Sequence, residues 1–202
     1  MSSCKSDLDK DGTVEELYLT AEKGSLYGKE LIITKNNEEI GRYDFEALKP
    51  WKVQVADVDG DGGNEISVGV YKTAEFHPVM AKRPFIYSWN EGVLSPKWLG
   101  SRLSRPFDDY IFCDIDEDGM EELISIELLP DGRKVINSYK WKGFGFEGMA
   151  ESRDFQEITG LQKQGSEENG ISMVSADVSE DGNVKHVVFC YRDGRLTGRD
   201  DN

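Results

Sequence analysis

Along the whole chain, Val, Ile, Leu, Tyr and Phe recur at every second position or fill short continuous runs, and polar turn residues separate one run from the next. "EELYLTA", "KELIITKN" and "EIGRYDF" come first, and "WKVQVA", "EISVGVYK", "RPFIYSWN" and "VLSPKWL" follow them. The second half continues with "DDYIFC", "ELISIELL", "KVINSYKWKG", "FGFEGMAE", "GISMVSA" and "VKHVVFCY". Period two and an abundance of β-branched and aromatic residues predict strands rather than helices. "NEG", "PDGRK" and "KGFG" supply turns between them. "AESRDFQEITGLQKQG" leaves room for one helix, although its glycines weigh against it.

The turn in front of several of these runs is itself repeated. "DLDKDGTVEEL" starts at Asp7, "DVDGDGGNEIS" at Asp57, "DIDEDGMEELI" at Asp114 and "DVSEDGNVKHV" at Asp177, with start-to-start spacings of 50, 57 and 63 residues. Self-similarity at this period marks stacked supersecondary units that need a neighbour to bury their apolar faces. Each unit reads as about four antiparallel strands, the composition of a propeller blade. The predicted fold is all-β, a β-propeller-like array of about four blade units within one repeat domain spanning 1–202. The units run approximately 7–50, 51–106, 107–168 and 169–202. On this reading the first and last are incomplete, since "MSSCKS" offers no apolar strand and "RDGRLTGRDDN" ends the chain. Either a small ring closes, or the chain is part of a longer propeller.

In the second turn Asp57, Asp59 and Asp61 hold positions 1, 3 and 5, Gly62 position 6, Gly63 position 7 and Glu65 position 9. Alternate residues of a tight loop point inward, and calcium takes six to eight oxygen ligands at about 2.3–2.6 Å. Carboxylates about 4 Å apart repel by roughly 4 kcal/mol per pair at an effective dielectric near 20, an upper figure. Something positive belongs there. The predicted ligands are Asp7, Asp9, Asp11, the Thr13 carbonyl and Glu15; Asp57, Asp59, Asp61, the Gly63 carbonyl and Glu65; and Asp114, Asp116, Asp118, the Met120 carbonyl and Glu122. An EF-hand would need a bidentate glutamate at position 12 and flanking helices. Position 12 holds Tyr18, Val68, Ser125 and Val188, so the ligand set closes at position 9 and a strand can leave directly. The fourth turn has Ser179 at position 3 and Lys185 at position 9, which predicts no calcium. There, either the Lys185 ammonium reaches back to Asp177 and Asp181, or the turn has decayed and the lysine is exposed.

These turns resemble the calcium loops of FG-GAP repeats, also described as VCBS or integrin-α-type propeller repeats. The resemblance implies propeller blades with a calcium loop between the first two strands of a blade, and no single activity. Such propellers serve in adhesion receptors, lectin-like modules and some polysaccharide lyases. About three structural Ca²⁺ sites are expected. With dissociation constants of about 10⁻⁴–10⁻³ M, a site at the tight end gains about 1.5 kcal/mol at millimolar calcium. Cytosolic calcium would leave such sites mostly empty, so an extracellular or cell-envelope-attached protein is expected.

The net charge of −15 over 202 residues excludes wrapping a nucleic-acid backbone, which needs clustered Lys and Arg. No apolar stretch is long enough for a transmembrane segment, and the start lacks a signal-peptide core. Cys4 is a candidate for lipoprotein acylation, against an ordinary terminal cysteine. Cys113 and Cys190 read as small apolar residues on strands.

Catalytic chemistry leaves little trace. His77 and His186 are the two histidines, and no serine elbow, phosphate loop or zinc spacing is present. "YKTAEFHPVMAKRPFIYSW" and "GSRLSRPFDDY" concentrate basic and aromatic residues, making His77, Lys82, Arg83, Arg102, Arg105 and Phe107 candidates for ligand binding. Against this, "KPW" and the two "RPF" motifs read as packing at strand entries. The expected function is a non-enzymatic interaction module with structural calcium, binding a glycan or protein ligand. The alternatives are a carbohydrate-active lyase or hydrolase, or a structural repeat segment of a larger protein.

Overall fold

A computed structural model describes residues 2–100, 102–165 and 172–200. Sixteen strands form four four-stranded sheets, each an antiparallel meander in chain order, and no α-helix occurs among the described residues. The first sheet holds β1 (Ser3–Ser6), β2 (Glu15–Leu19), β3 (Glu30–Lys35) and β4 (Glu38–Asp44), and the second β5 (Pro50–Ala56), β6 (Glu65–Ala74), β7 (His77–Asn90) and β8 (Val93–Trp98). The third comprises β9 (Phe107–Cys113), β10 (Glu122–Leu128), β11 (Lys134–Trp141) and β12 (Phe146–Glu151). The fourth comprises β13 (Glu157–Gly165), β14 (Ser172–Glu180), β15 (Asn183–Arg192) and β16 (Arg195–Asp200).

Two-residue turns close five of the hairpins, and four of these turns share one backbone geometry. Asn36-Asn37, Glu91-Gly92, Asp181-Gly182 and Asp193-Gly194 all take positive φ at both central positions. That geometry matches the right-handed twist of the paired strands, and Asn, Asp and Gly tolerate it best.

The sheets group into two compact units, one of Met1–Asp57 with Asp61–Arg102, the other of Leu103–Asn202 with Val58–Gly60. In the first, Leu17, Leu31, Ile33, Ile66, Val68 and Phe85 pack as one apolar cluster. The second has its own cluster, including Ile124, Ile136, Phe155, Val174, Val187 and Phe189. Phe155 meets Phe189 edge-on at 6.0 Å, and its backbone exchanges two hydrogen bonds with Lys134 across a single bridge. Each such buried side chain contributes roughly 1.5–3 kcal/mol. Cys113 and Cys190 are buried on their strands, as expected.

Three sequence expectations change. The first unit is complete because Ser3–Ser6 pairs with β2, its half-exposed edge position asking for no apolar pattern. The last is complete because β16 pairs with β15 and β13 with β14, so this unit begins at Glu157, inside the span expected of the third. "EITGLQKQG" is strand β13 rather than helix, paired with β14 across an irregularity between Thr159 and Gln162 where Gly160 takes a positive φ.

Candidate cation-binding turns

The first three acidic turns join the first and second strands of their sheets, β1 to β2, β5 to β6 and β9 to β10. Their backbones repeat. Position 4 is left-handed at Lys10 (φ 58°), Gly60 (74°) and Glu117 (62°), and position 6 at Gly12 (86°), Gly62 (79°) and Gly119 (89°). The position-1 carboxylate accepts from the position-6 N–H: Gly12 to Asp7 at 2.9 Å, Gly62 to Asp57 at 2.8 Å, Gly119 to Asp114 at 3.0 Å. The position-5 carboxylate accepts from position 7: Thr13 to Asp11 at 2.8 Å, Gly63 to Asp61 at 2.6 Å, Met120 to Asp118 at 3.1 Å. Position 2 is buried in all three, as Leu8, Val58 and Ile115.

Glutamate at position 9 lies inside. Glu15 and Glu122 are fully buried and Glu65 nearly so. Glu15 accepts from the Leu8 N–H at 2.7 Å and Glu122 from the Ile115 N–H at 3.0 Å, so each glutamate also fastens the start of its own turn. Asp7, Asp9 and Glu15, likewise Asp57, Asp59 and Asp61, and likewise Asp114, Asp116 and Glu122, each bring a carboxylate oxygen within 4.8 Å of the others.

A lysine answers this charge. Lys35 Nζ lies 2.7 Å from Asp9, 2.7 Å from Asp11 and 2.8 Å from Glu15. Lys140 Nζ lies 2.6 Å from Asp116, 2.6 Å from Asp118 and 3.2 Å from Glu122. In the second turn Lys97 Nζ is 2.6 Å from Glu65. Desolvation alone would lower the lysine pKa values, but the hydrogen bonds Lys35 donates to Asp11 and Asp9 and its ion pair with Glu15 hold it charged well above the usual range, and Asp116, Asp118 and Glu122 do the same for Lys140. Burial pushes Glu122 up to about 7, opposed by the Ile115 N–H and by Lys140. The structure thus supplies a positive group that the linear sequence does not assign to these turns.

The oxygen count exceeds what an ammonium can serve. Asp7 Oδ1, Asp116 Oδ1 and the Oε1 atoms of Glu15 and Glu122 are buried without a hydrogen bond, although both Oε1 atoms lie within ion-pair distance of their lysine. An ammonium has three donors, whereas a hard divalent ion takes six to eight oxygens. These oxygens are the chemistry of a cation site, and Asp7, Asp9, Asp11 and Glu15, or their counterparts in the other turns, are the groups that would hold an ion.

The fourth turn is built otherwise. It lies between β14 and β15, the second and third strands of its sheet, and β14 runs on through Asp177 to Glu180 before a two-residue turn. Cross-strand pairing sets Asp177 opposite His186 and Val178 opposite Lys185. Strand alternation therefore places Lys185 on the other face from Asp177, and His186 Nδ1 meets the Asp177 carboxylate at 2.9 Å instead. The reach of Lys185 back to Asp177 is thereby corrected.

The basic-aromatic candidates separate. Arg83 is fully buried and Phe107 nearly so, which removes both from any surface a ligand reaches. Arg83 donates to the carbonyls of Lys72 at 2.9 Å, His77 at 3.1 Å and Val79 at 2.9 Å, bracing the β6–β7 hairpin, and burial lowers its pKa. His77 Nδ1 is 3.1 Å from the same guanidinium. Lys82 is half-buried opposite Tyr71, and Arg102 is exposed. Arg105 pairs with Glu151 at 2.5 Å and with Glu127 at 3.3 Å. Fully buried Glu127 also accepts from Ser125 at 3.2 Å, Asn137 at 3.2 Å and Tyr139, and desolvation raises its pKa against these donors. Cys4 lies on β1 with its side chain against the apolar cluster, and burial pushes its thiol up to about 12.

A cavity of ≈ 500 Å³ in the second unit is lined by Glu151, Arg153, Phe155, Arg195 and Thr197 among others. Arg153 stacks on Phe155 at 3.9 Å there and pairs with Glu180 at 2.9 Å. Neither histidine lines this cavity. No helix of the described residues is long and apolar enough to cross a membrane.

No known family model matches the chain, and no curated protein matches it. Among solved structures, one described as "Structure of a Xanthomonas Type IV Secretion System related protein" is similar over 99% of both chains, with 13% identity and a TM-score of 0.40.

Proposed function

We propose that this chain is a non-enzymatic interaction module of propeller-type blades, extracellular or attached to the cell envelope, whose three acidic turns take up calcium and which binds a glycan or protein ligand. The observation carrying this reading is the surplus of buried oxygen in the turns, where Asp7 Oδ1 and Asp116 Oδ1 have no hydrogen bond and the Oε1 atoms of Glu15 and Glu122 have only a lysine ammonium beside them. Unpaired buried acceptors cost about 1–3 kcal/mol each, and a divalent ion at the centre recovers that cost for several at once. Weak sites of this kind fill at millimolar calcium, which supports the extracellular setting.

The experiment is a melt of the full chain in chelator and in millimolar calcium. Calcium raises the melting temperature of the wild type, Asp59→Ala loses part of that response, and Ser179→Ala, in the fourth turn, keeps all of it. An identical melt with and without calcium removes the ion from the account. A glycan array run beside a turnover assay on polysaccharides separates a binder from an enzyme.

A further inference from the structure

The lysines in the acidic turns arrive by two different routes. β2 sets Glu15 directly opposite Lys35, and the β10–β11 register, with Leu123 opposite Tyr139, continues to put Glu122 opposite Lys140. Position 9 of the first and third turns therefore faces a lysine on the third strand of its sheet. In the second turn the register that pairs Ile66 with Tyr87 brings Ser88 to that place. The ammonium comes instead from Lys97 on β8, at the irregularity where Ile86 pairs with Trp98 and Tyr87 with Pro96. Two backbone solutions thus deliver the same group to the same carboxylate. The lysine stems are mostly shielded, at 16% (Lys35), 17% (Lys97) and 12% (Lys140) side-chain exposure, so these are not loose surface pairs.

We propose that Lys35 and Lys140 are tethered counter-ions that hold the first and third turns closed in the metal-free protein, and that Lys97 does the same for Glu65. Each ammonium neutralises carboxylates whose mutual repulsion would otherwise open the turn. Because it occupies the space between them, calcium binds only when the lysine swings out. The apparent affinity is then the intrinsic one reduced by the fraction of turns whose lysine is out. The counter-ion role stands on the ion pairs alone; the exchange with calcium rests on the function proposed above.

The test uses the full chain as wild type, Lys35→Met, Lys140→Met and, as control, Lys5→Met, which removes only an exposed pair with Glu16. In chelator, Lys140→Met melts about 6–20 °C below Lys5→Met, and Lys35→Met falls in the same direction. Millimolar calcium restores most of each loss, and titration calorimetry gives calcium binding about tenfold tighter than in the wild type, the factor expected if the lysine is out about a tenth of the time. The double variant Lys140→Met/Asp118→Asn recovers at least half of the loss in chelator, because removing a carboxylate relieves the same repulsion. A Lys140→Met loss that the double variant does not recover comes from packing and overturns the proposal. So do melts of both single variants that match Lys5→Met in chelator. Destabilisation in chelator with recovery in the double variant, but no calcium bound by any of the proteins, confirms the counter-ions and overturns the calcium reading instead.

Discussion

Gly119 isolates the backbone demand of the turns from everything else. Its φ is +89°, and a methyl group added there meets nothing within 4 Å. Gly119→Ala therefore carries no steric penalty, and its whole effect is conformational. Holding an L-residue in the left-handed region costs roughly 1–2 kcal/mol, while the alanine chain gains about 0.4–1 kcal/mol by losing less freedom on folding. The net loss is up to about 1.6 kcal/mol. At about 2–4 °C per kcal/mol for a chain of this size, the melting temperature falls by up to about 6 °C. Scanning calorimetry reads this directly, with two companions. Gly119→Asn loses less, since asparagine tolerates this region. Gly148→Ala, on β12, lacks a positive φ and would meet only Tyr139 at 3.9 Å, so it is neutral or stabilising. A Gly119→Ala protein that melts with or above Gly148→Ala would refute the left-handed turn.

Other expectations concern buried charge. Desolvation raises the Glu127 pKa, so between its unfolded value near 4.3 and its higher folded value the native state binds more protons than the unfolded chain. The stability contributed by Glu127 is thus present at low pH and lost as pH rises through the folded pKa. Urea midpoints measured from pH 4.5 to 7.5 fall more steeply for the wild type than for Glu127→Gln; equal slopes contradict the assignment. Arg83→Met orphans the three carbonyls that brace the β6–β7 hairpin and destabilises by about 2–4 kcal/mol. Chemical denaturation checks this, and a change below 0.5 kcal/mol, the usual size of a surface substitution, would show that the guanidinium is dispensable.

Most strands were legible because their apolar residues alternate or run continuously, as in "EISVGVYK" and "ELISIELL". Those that escaped are polar or broken. β1 is a half-exposed edge strand that belongs to the sheet through its backbone pairing to β2, β16 carries Arg, Thr and Gly, and β13 is interrupted at Gly160. The carboxylates of the first three turns, and the glycine needed at position 6, follow from spacing alone. Left-handed position 4 does not, since Lys10 and Glu117 give no composition signal. The lysines were invisible for a different reason. Lys35 and Lys140 become neighbours of Glu15 and Glu122 only through register, across connections of unequal length. The fourth turn shows the converse, a sequence match to the motif at another place in the meander, where strand alternation sets its charges on opposite faces.

The most direct test of a cation at the heart of each acidic turn is a pair of crystal structures, one grown with chelator and one with millimolar calcium, the second recorded for anomalous scattering. Lys35 and Lys140 ammonium groups seated among their carboxylates in the first, and calcium peaks at the turns with those lysines displaced in the second, are the predicted result. Turns that keep their shape in chelator with both lysines extended into solvent would contradict it.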